Sequence, residues 1–200
     1  GLPIHITALD LTTRAVDTLF DDTAEGDAYL NNCPYLGATH HADLDVIVPV
    51  FVDGRIMFWA LARCHHADMG APLPTTYLPN AATIYEEGLH FPCVRVEERY
   101  ISKADIVRIG LTKIRASKIW HGDYQAQLGA CRIGEQRLKD LVARHGAGLI
   151  ENFIEDWMTY GERRTKAAIA SLPAGKWSYQ TKHDPVPGVA EQGIPVRVTV

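Results

Sequence analysis

Apolar positions along this chain change their period near its middle. The β-branched run from Asp45 to Val52 and the returning run from Arg55 to Arg63 bracket Asp53-Gly54. An Asp-Gly pair between two such runs specifies a two-residue hairpin turn. Leu2 to Leu9, Asp27 to Asn31 and Cys93 to Tyr100 read as further short extended segments. After Asp10, a candidate cap, Ala15, Val16, Leu19 and Phe20 follow a 3.6-residue spacing that predicts a first helix. Asn32 to Gly37 is turn-rich, and Gly70 to Pro92 carries four prolines, which predicts a long surface loop of the kind that lines sites.

From Ala104 onward the spacing is helical. Ala104 to Arg115 is one candidate helix. Tyr124 to His145 places Tyr124, Leu128, Cys131, Leu138, Leu141, Val142 and His145 on one face. Leu149 to Ala170 does the same with Ile150, Phe153, Ile154, Trp157, Tyr160, Ala168 and Ile169. The break at His145-Gly146-Ala147-Gly148 predicts a helical hairpin, and Pro173 ends its second arm. Gly175 to Tyr179 and Ile194 to Val200 read as closing strands. The expected class is α+β in one domain or domain fragment spanning 1–200. Residues 1–100 would be mainly β and carry the site, 101–172 mainly helical, and 173–200 strands and loop.

Composition narrows the function classes. Hydrophobic residues make up 46% and charged residues 22%, which suits a core-forming chain rather than a disordered one. No apolar run reaches the length of a membrane span. The first residues lack the charged, apolar and small-residue segments of a secretory signal. The formal charge of −4, without a Lys/Arg-rich cluster, argues against a nucleic-acid partner. Cys33, Cys64, Cys93 and Cys131 form no C-x-x-C pair, so a disulfide scaffold or four-Cys zinc knuckle is not expected, and a cytoplasmic location is.

Four of the nine histidines sit in two His-His-Ala-Asp segments, His40 to Asp43 and His65 to Asp68. Imidazole nitrogen with carboxylate oxygen suits zinc, manganese or ferrous iron. With Val52 paired to Arg55, facing residue numbers sum to 107, which puts His41 opposite His66, Ala42 opposite His65 and Asp43 opposite Cys64. The two segments therefore meet at the open end of one hairpin. Strict strand parity puts His41, Asp43 and His66 on one face, with His40 and His65 on the other. Gly37, Thr39 and Gly70 give room for irregularity, so parity alone leaves the ligand set open. The plainer reading is a pair of polar strand ends with ordinary hydrogen bonds.

These residues also carry a resemblance. Asn31-Asn32-Cys33-Pro34-Tyr35-Leu36-Gly37-Ala38-Thr39-His40-His41-Ala42-Asp43 is similar to the N-D-P-Y-x-G-G-T-H-x-x-D segment of the hydantoinase B/oxoprolinase family. Arg63-Cys64-His65-His66-Ala67-Asp68-Met69-Gly70 resembles its R-G-H-H-A-D-x-G segment. Pro3-Ile4-His5-Ile6, Ile84-Tyr85-Glu86-Glu87-Gly88 and Gly122-Asp123-Tyr124-Gln125-Ala126-Gln127 match further stretches. Such subunits are usually much longer, so the resemblance implies an inner portion of one. Three departures stand out: Cys33 for the usual Asp, Ala38 for the second Gly, and Cys64 for the Gly before the His pair. They bear on substrate more than on the metal, although two thiols near the hairpin raise the option of a thiolate ligand beside the plainer one of small buried cysteines.

The resemblance implies His40, Asp43 and His65 as metal ligands, a set that overrides parity. It leaves His66, Asp68 and His5 as candidate catalytic residues and Glu86, His121 and Asp123 as candidate substrate-binding residues, with Glu87 weaker still. His90, His145 and His183 read as surface or core. The implied activity is ATP-dependent hydrolysis of a cyclic amide such as a hydantoin, oxoproline or lactam, or carboxylation of a ketone. The chain has no phosphate-cradling G-x-x-x-x-G-K-[ST] loop. ATP and magnesium are therefore expected on a hydantoinase A-like partner that phosphorylates the substrate carbonyl. A non-catalytic assembly module is the rival reading from another class, and metal content separates it.

Overall fold

A computed structural model describes residues 5–6, 8–74, 77–188 and 190–200. The chain divides into two compact units, residues 1–140 and 141–200. In the first unit, helix α1 (Leu9–Leu19) precedes β1 (Ala28–Asn31), β2 (Asp43–Val52), β3 (Arg55–His65), β4 (Val94–Glu98) and β5 (Ile101–Ser102). Helix α2 (Ala104–Lys113) follows, then α3 (Ser117–His145), of which residues 117–140 belong to this unit. The strands form one antiparallel sheet in the order β3-β2-β1-β4-β5, which bears out the α+β expectation.

Strand β2, between β3 and β1, is buried on both faces over most of its length, and its alternation sorts the core. Leu44, Val46, Val48 and Val50 meet Trp120, Tyr124, Leu128 and Cys131 of α3 on one side. Ile47 meets Ala15 and Val16 of α1 on the other, with Tyr29 and Cys93. Each such aliphatic side chain contributes on the order of 1.5–3 kcal/mol by leaving water. α1 faces the sheet through Thr12, Ala15 and Val16, an i, i+3, i+4 set. The expected first strand is corrected where it is described: His5 and Ile6 are helical and so is Leu9, while Leu2, Pro3, Ile4 and Thr7 lie outside the described residues. Helical spacing thus begins earlier than the local alternation suggested.

The hairpin turn is as expected, with Asp53 at φ 50° and Gly54 at φ 78°, the backbone that an Asp-Gly turn supplies. The register is not. Val52 pairs with Arg55 and Phe51 with Ile56, but Val50 pairs with Phe58, so Met57 is an extra residue. Facing numbers sum to 108 beyond that bulge. Asp45 stands opposite Arg63, and Asp43 opposite His65 rather than Cys64. A one-residue slip exchanges the faces of every side chain beyond it.

That exchange builds a buried ion pair on the α1 face. Arg63 donates from Nε and Nη2 to the two Asp45 carboxylate oxygens at 2.6 and 2.7 Å, with both side chains almost fully buried. The guanidinium also donates to the carbonyls of His5 (3.1 Å) and Gly37 (3.0 Å), and Thr12 Oγ1 donates to Asp45 at 3.3 Å. The chain before α1 and the loop before β2 are thereby tied to the hairpin.

In the second unit, α4 (Ala147–Ala170) is followed by the hairpin of β6 (Ser178–Lys182) and β7 (Pro195–Thr199). Gly146, at φ 83°, separates α3 from α4 as the glycine pair suggested. The apolar face expected of α4 is not a core face. Of its described residues only Ile150 is buried, while Phe153, Trp157 and Tyr160 form an exposed ladder with ring centroids 6.0 and 5.6 Å apart. Amphipathic spacing alone does not say whether a covering surface is present. Among the described residues, no helix is long and apolar enough to cross a membrane.

Arg63→Met should destabilise the protein by about 3–5 kcal/mol, because it strands a buried carboxylate. Replacing Asp45 by Leu in the same variant should recover much of that loss. Urea unfolding checks both. A loss below about 1 kcal/mol in the single variant would show that the pair contributes as little as a surface pair.

Candidate metal centre

Asp43 is the fixed point of the site. It is the first residue of β2 and its side chain is fully buried, against the α1 face. His65 ends β3 directly opposite, and its Nδ1 lies 2.9 Å from Asp43 Oδ1. His40 arrives differently. The amide of Asp43 donates to the His40 carbonyl at 3.0 Å, so residues 40–43 turn instead of extending the strand. That turn releases His40 from strand parity and brings its Nε2 to 3.5 Å from Asp43 Oδ2. The His40 and His65 rings meet edge to face, 4.6 Å apart.

His40, Asp43 and His65 each offer a ligand atom within 4.8 Å of the others, which is the set implied by the resemblance. Bulge and turn together resolve the conflict with parity. His5 joins them, its Nε2 3.5 Å from Asp43 Oδ2. Thr39 Oγ1 also donates to Asp43 Oδ2. Burial opposes ionisation of Asp43. The hydrogen bonds from Thr39 and His65 and the charges of His40 and His5 outweigh it, holding the carboxyl below the usual range. Burial pushes the His40 pKa down against the pull of Asp43, which favours the neutral imidazole that a metal needs. The Ala42 amide donates to His40 Nδ1 at 3.1 Å, which places the neutral ring's proton on Nε2, toward Asp43. Ion capture at Nε2 requires this ring to give up that arrangement. The donor set of two imidazoles and one carboxylate fits a catalytic zinc, manganese or iron site.

The remaining candidates lie elsewhere. His66 faces α3, where its Nε2 meets Gln127 Oε1 at 3.2 Å, and Gln127 Nε2 donates to the carbonyls of Leu44 (2.8 Å) and Ala62 (2.9 Å). Asp68 accepts from the amides of Gly70 (2.8 Å) and Arg115 (3.1 Å) and from Arg115 Nη2 (2.9 Å). Neither contacts the three grouped residues through any of these bonds. Glu86 accepts from Ala82 N and Thr83 Oγ1 in its own turn. His121 and Asp123 lie on α3, with the His121 ring 6.2 Å from Tyr124. His41 is buried beside His90, ring centroids 5.4 Å apart. All four cysteines are free, none belongs to the grouped set, and burial pushes the Cys64 thiol up, away from thiolate.

Two supporting residues had no role assigned from sequence. Asn32 donates to the carbonyls of His41 and Leu89, both at 2.9 Å, and accepts from Phe91 N at 2.6 Å, clamping the loop before β2 to the segment before β4. Gln127 couples α3 to both hairpin strands. Asn32 lies within the motif carrying His40 and Asp43, and Gln127 ends the stretch beginning at Gly122. That placement was the available signal.

Comparison with known proteins identifies the family. Residues 1–200 match the family described as hydantoinase B/oxoprolinase. The chain belongs to that family. It is 34% identical over 178 residues to the beta chain of the caprolactamase of Pseudomonas jessenii, covering 88% of this chain and 31% of that protein. It is 27% identical over 198 residues to 5-oxoprolinase 1 of Arabidopsis thaliana, covering 92% and 16%. The crystal structure of the ATP-dependent caprolactamase from P. jessenii superposes with a TM-score of 0.88 at 32% identity, covering 99% of this chain and 34% of that one. A nucleotide-free acetone carboxylase structure shares the fold, with a TM-score of 0.81 at 18% identity, over 100% of this chain and 28% of that one. The chain thus spans about a third or less of the length of these relatives.

His40→Ala and His65→Ala should each reduce bound divalent metal severalfold or more, whereas His66→Ala and His90→Ala should retain it, as read by elemental analysis after gel filtration. Retention in the His65 variant with loss in the His66 variant would refute the bulged register as the basis of the site. Since the His40 pKa lies below its ordinary 6.5, protons should displace metal only as the pH falls below about that value. Retention measured across pH 5–8 checks that direction.

Proposed function

We propose that this chain is the metal-bearing portion of one component of an ATP-dependent cyclic-amide hydrolase. The observation that carries the reading is the grouping of His40, Asp43 and His65 at the open end of the hairpin. The 34% identity to the caprolactamase beta chain, against 26% to the acetophenone carboxylase delta subunit of Aromatoleum aromaticum, favours ring hydrolysis over carboxylation.

His40, Asp43 and His65 would hold a divalent ion, zinc, manganese or iron, whose Lewis acidity would polarise the carbon–oxygen bond whose carbon is attacked. Asp43 supplies a buried negative charge at the floor, and the half-exposed imidazoles of His40 and His65 form a rim open to substrate. His5, whose Nε2 lies against Asp43 Oδ2, would accept or return a proton there. Arg63 holds His5 through its carbonyl, and Thr39 holds the Asp43 carboxylate in place.

An amide is a poor electrophile with a poor leaving group. Phosphorylating its oxygen on a hydantoinase A-like, ATP- and magnesium-using partner removes both difficulties. Nothing in this chain resembles a phosphate-cradling P-loop. His66 and Asp68 make structural bonds to Gln127 and Arg115, and direct roles in the reaction are therefore assigned to His5 and the three ligands.

Ring opening of hydantoins, 5-oxoproline or lactams should require the full subunit, its partner and ATP. Turnover followed with and without each component tests this. Robust ring opening by the isolated metal-loaded subunit without ATP would mean a free-standing metallohydrolase. A strict need for bicarbonate would assign the protein to the carboxylases.

A further inference from the structure

The exposed apolar side of α4 is a regular seam. Ile150, Phe153, Trp157, Tyr160 and Arg164 recur at alternating steps of three and four residues, the spacing of a coiled-coil stripe. At 100° per residue they fall within about 80° of one another around the helix. Phe153, Trp157 and Tyr160 are 59%, 61% and 44% exposed, and successive rings lie nearly parallel, at 19° and 27°. The ladder is thus set in line before anything covers it. A contiguous aromatic stripe left in water marks an interaction surface.

The two flanks of the seam differ. Ile154, Gly161 and Ala168 line one flank, all apolar or small, and a Cβ added at Gly161 would meet nothing within 4 Å. Leu149, Asp156 and Arg163 line the other. Asp156 and Arg163 stand two turns apart with opposite charges, and neither forms an ion pair among the described residues. The Arg163 guanidinium lies 5.6 Å from the Tyr160 ring centroid, at the edge of the seam. Glu155, Glu162 and Lys166 project from the far side of the helix, where Glu162 and Lys166 pair with each other. The helix macrodipole favours an acid only in the first turn, and Asp156 lies in the third.

We propose that α4 pairs with the α4 of a second copy of the subunit, antiparallel, about a two-fold axis near Thr159. The charges choose the orientation. In an antiparallel pair like flanks face each other, so Asp156 of each copy meets Arg163 of the other and the contact occurs twice. The same register sets Trp157 of one copy across from Tyr160 of the other. It also lays Arg164 against the Phe153 ring, a cation over an aromatic face. A parallel pair would set unlike flanks together, with Asp156 against Gly161, and both charges would lose their partners. On the opposite flank, Gly161 and Ala168 let the two backbones approach closely.

The test is sedimentation of the full subunit over a concentration series, for the unmodified protein, two charge reversals and their combination. The unmodified subunit should dimerise. Asp156→Arg and Arg163→Asp each turn two attractive contacts into repulsive ones and should weaken the dimer about tenfold or more. The double variant restores opposite signs across the axis and should return the affinity to within about threefold of the original. Both side chains are exposed, and circular dichroism reads whether the helix is retained. Should a reversal cost helix, Asp156→Asn and Arg163→Gln remove a contact without adding repulsion and should weaken the dimer in the same direction. A subunit that is monomeric at every concentration would overturn the proposal and assign the seam to another part of the subunit or to a different protein. A dimer indifferent to the single changes, or one that the double reversal fails to rescue, would overturn it as well.

Discussion

One extra residue in β3 governs everything at the open end of the hairpin. Without Met57 in the bulge, facing numbers would keep the sum set at the Asp53-Gly54 turn, with Asp45 opposite Ala62 and Asp43 opposite Cys64. The bulge adds one to that sum. Arg63 and His65 move to the α1 face, where Asp45 and Asp43 lie, and His66 moves to the α3 face. An ion pair and a candidate ligand pair are set by the same slip, because side-chain direction in a strand has period two. A bulge near the turn also spares the site itself. The ladder is disturbed roughly 25 Å away, and every pair from Val50–Phe58 to Asp43–His65 remains regular.

The register would count for less if the approaching loops were free. Arg63 reaches from its strand to the carbonyls of His5 and Gly37, so one buried guanidinium holds the segment carrying His5 and the loop leading to His40. Asn32 performs the corresponding service on the other side of that loop through His41, Leu89 and Phe91. Both are buried polar groups whose bonding capacity is largely taken up, Arg63 by the Asp45 carboxylate and two carbonyls and Asn32 by main-chain groups, the condition under which burial of such groups is tolerated. The candidate site thus depends on two residues outside the grouped His40, Asp43 and His65.

Much of this was legible in the sequence, for identifiable reasons. The Asp53-Gly54 turn, the flanking strands and the long helices carry strong local signals, and the structure shows each. The register was not legible because a bulge has no obligatory residue type, and Met57 looks like any strand residue. Parity therefore pointed to His41 and His66, while the motif resemblance pointed to His40 and His65. The structure groups the second set with Asp43. The opening segment misled in another way, since a few alternating residues before a helix mimic a strand. The apolar face of α4 followed the helical period faithfully yet remains exposed. Periodicity reports which side of a helix is apolar, and whether that side is covered depends on surfaces outside the segment.

Both His-His-Ala-Asp segments contain the same four residue types, yet the fold uses them oppositely. In the first, the turn at 40–43 folds His40 back onto Asp43, so its first and last residues act on one point. In the second, β3 stays regular to His65. His65 points to the α1 face and His66 to α3, while Asp68 continues outward to the amides of Gly70 and Arg115. The Asp43 carboxylate is surrounded by imidazoles and the Thr39 hydroxyl. Asp68 is surrounded by backbone donors and one guanidinium. A carboxylate satisfied by fixed amides is a structural anchor, whereas one satisfied by imidazole rings and a hydroxyl has partners that could give way to a cation. That difference in partners, not the repeated tetrapeptide itself, is what singles out Asp43 as the candidate centre and leaves Asp68 to anchor Gly70 and Arg115.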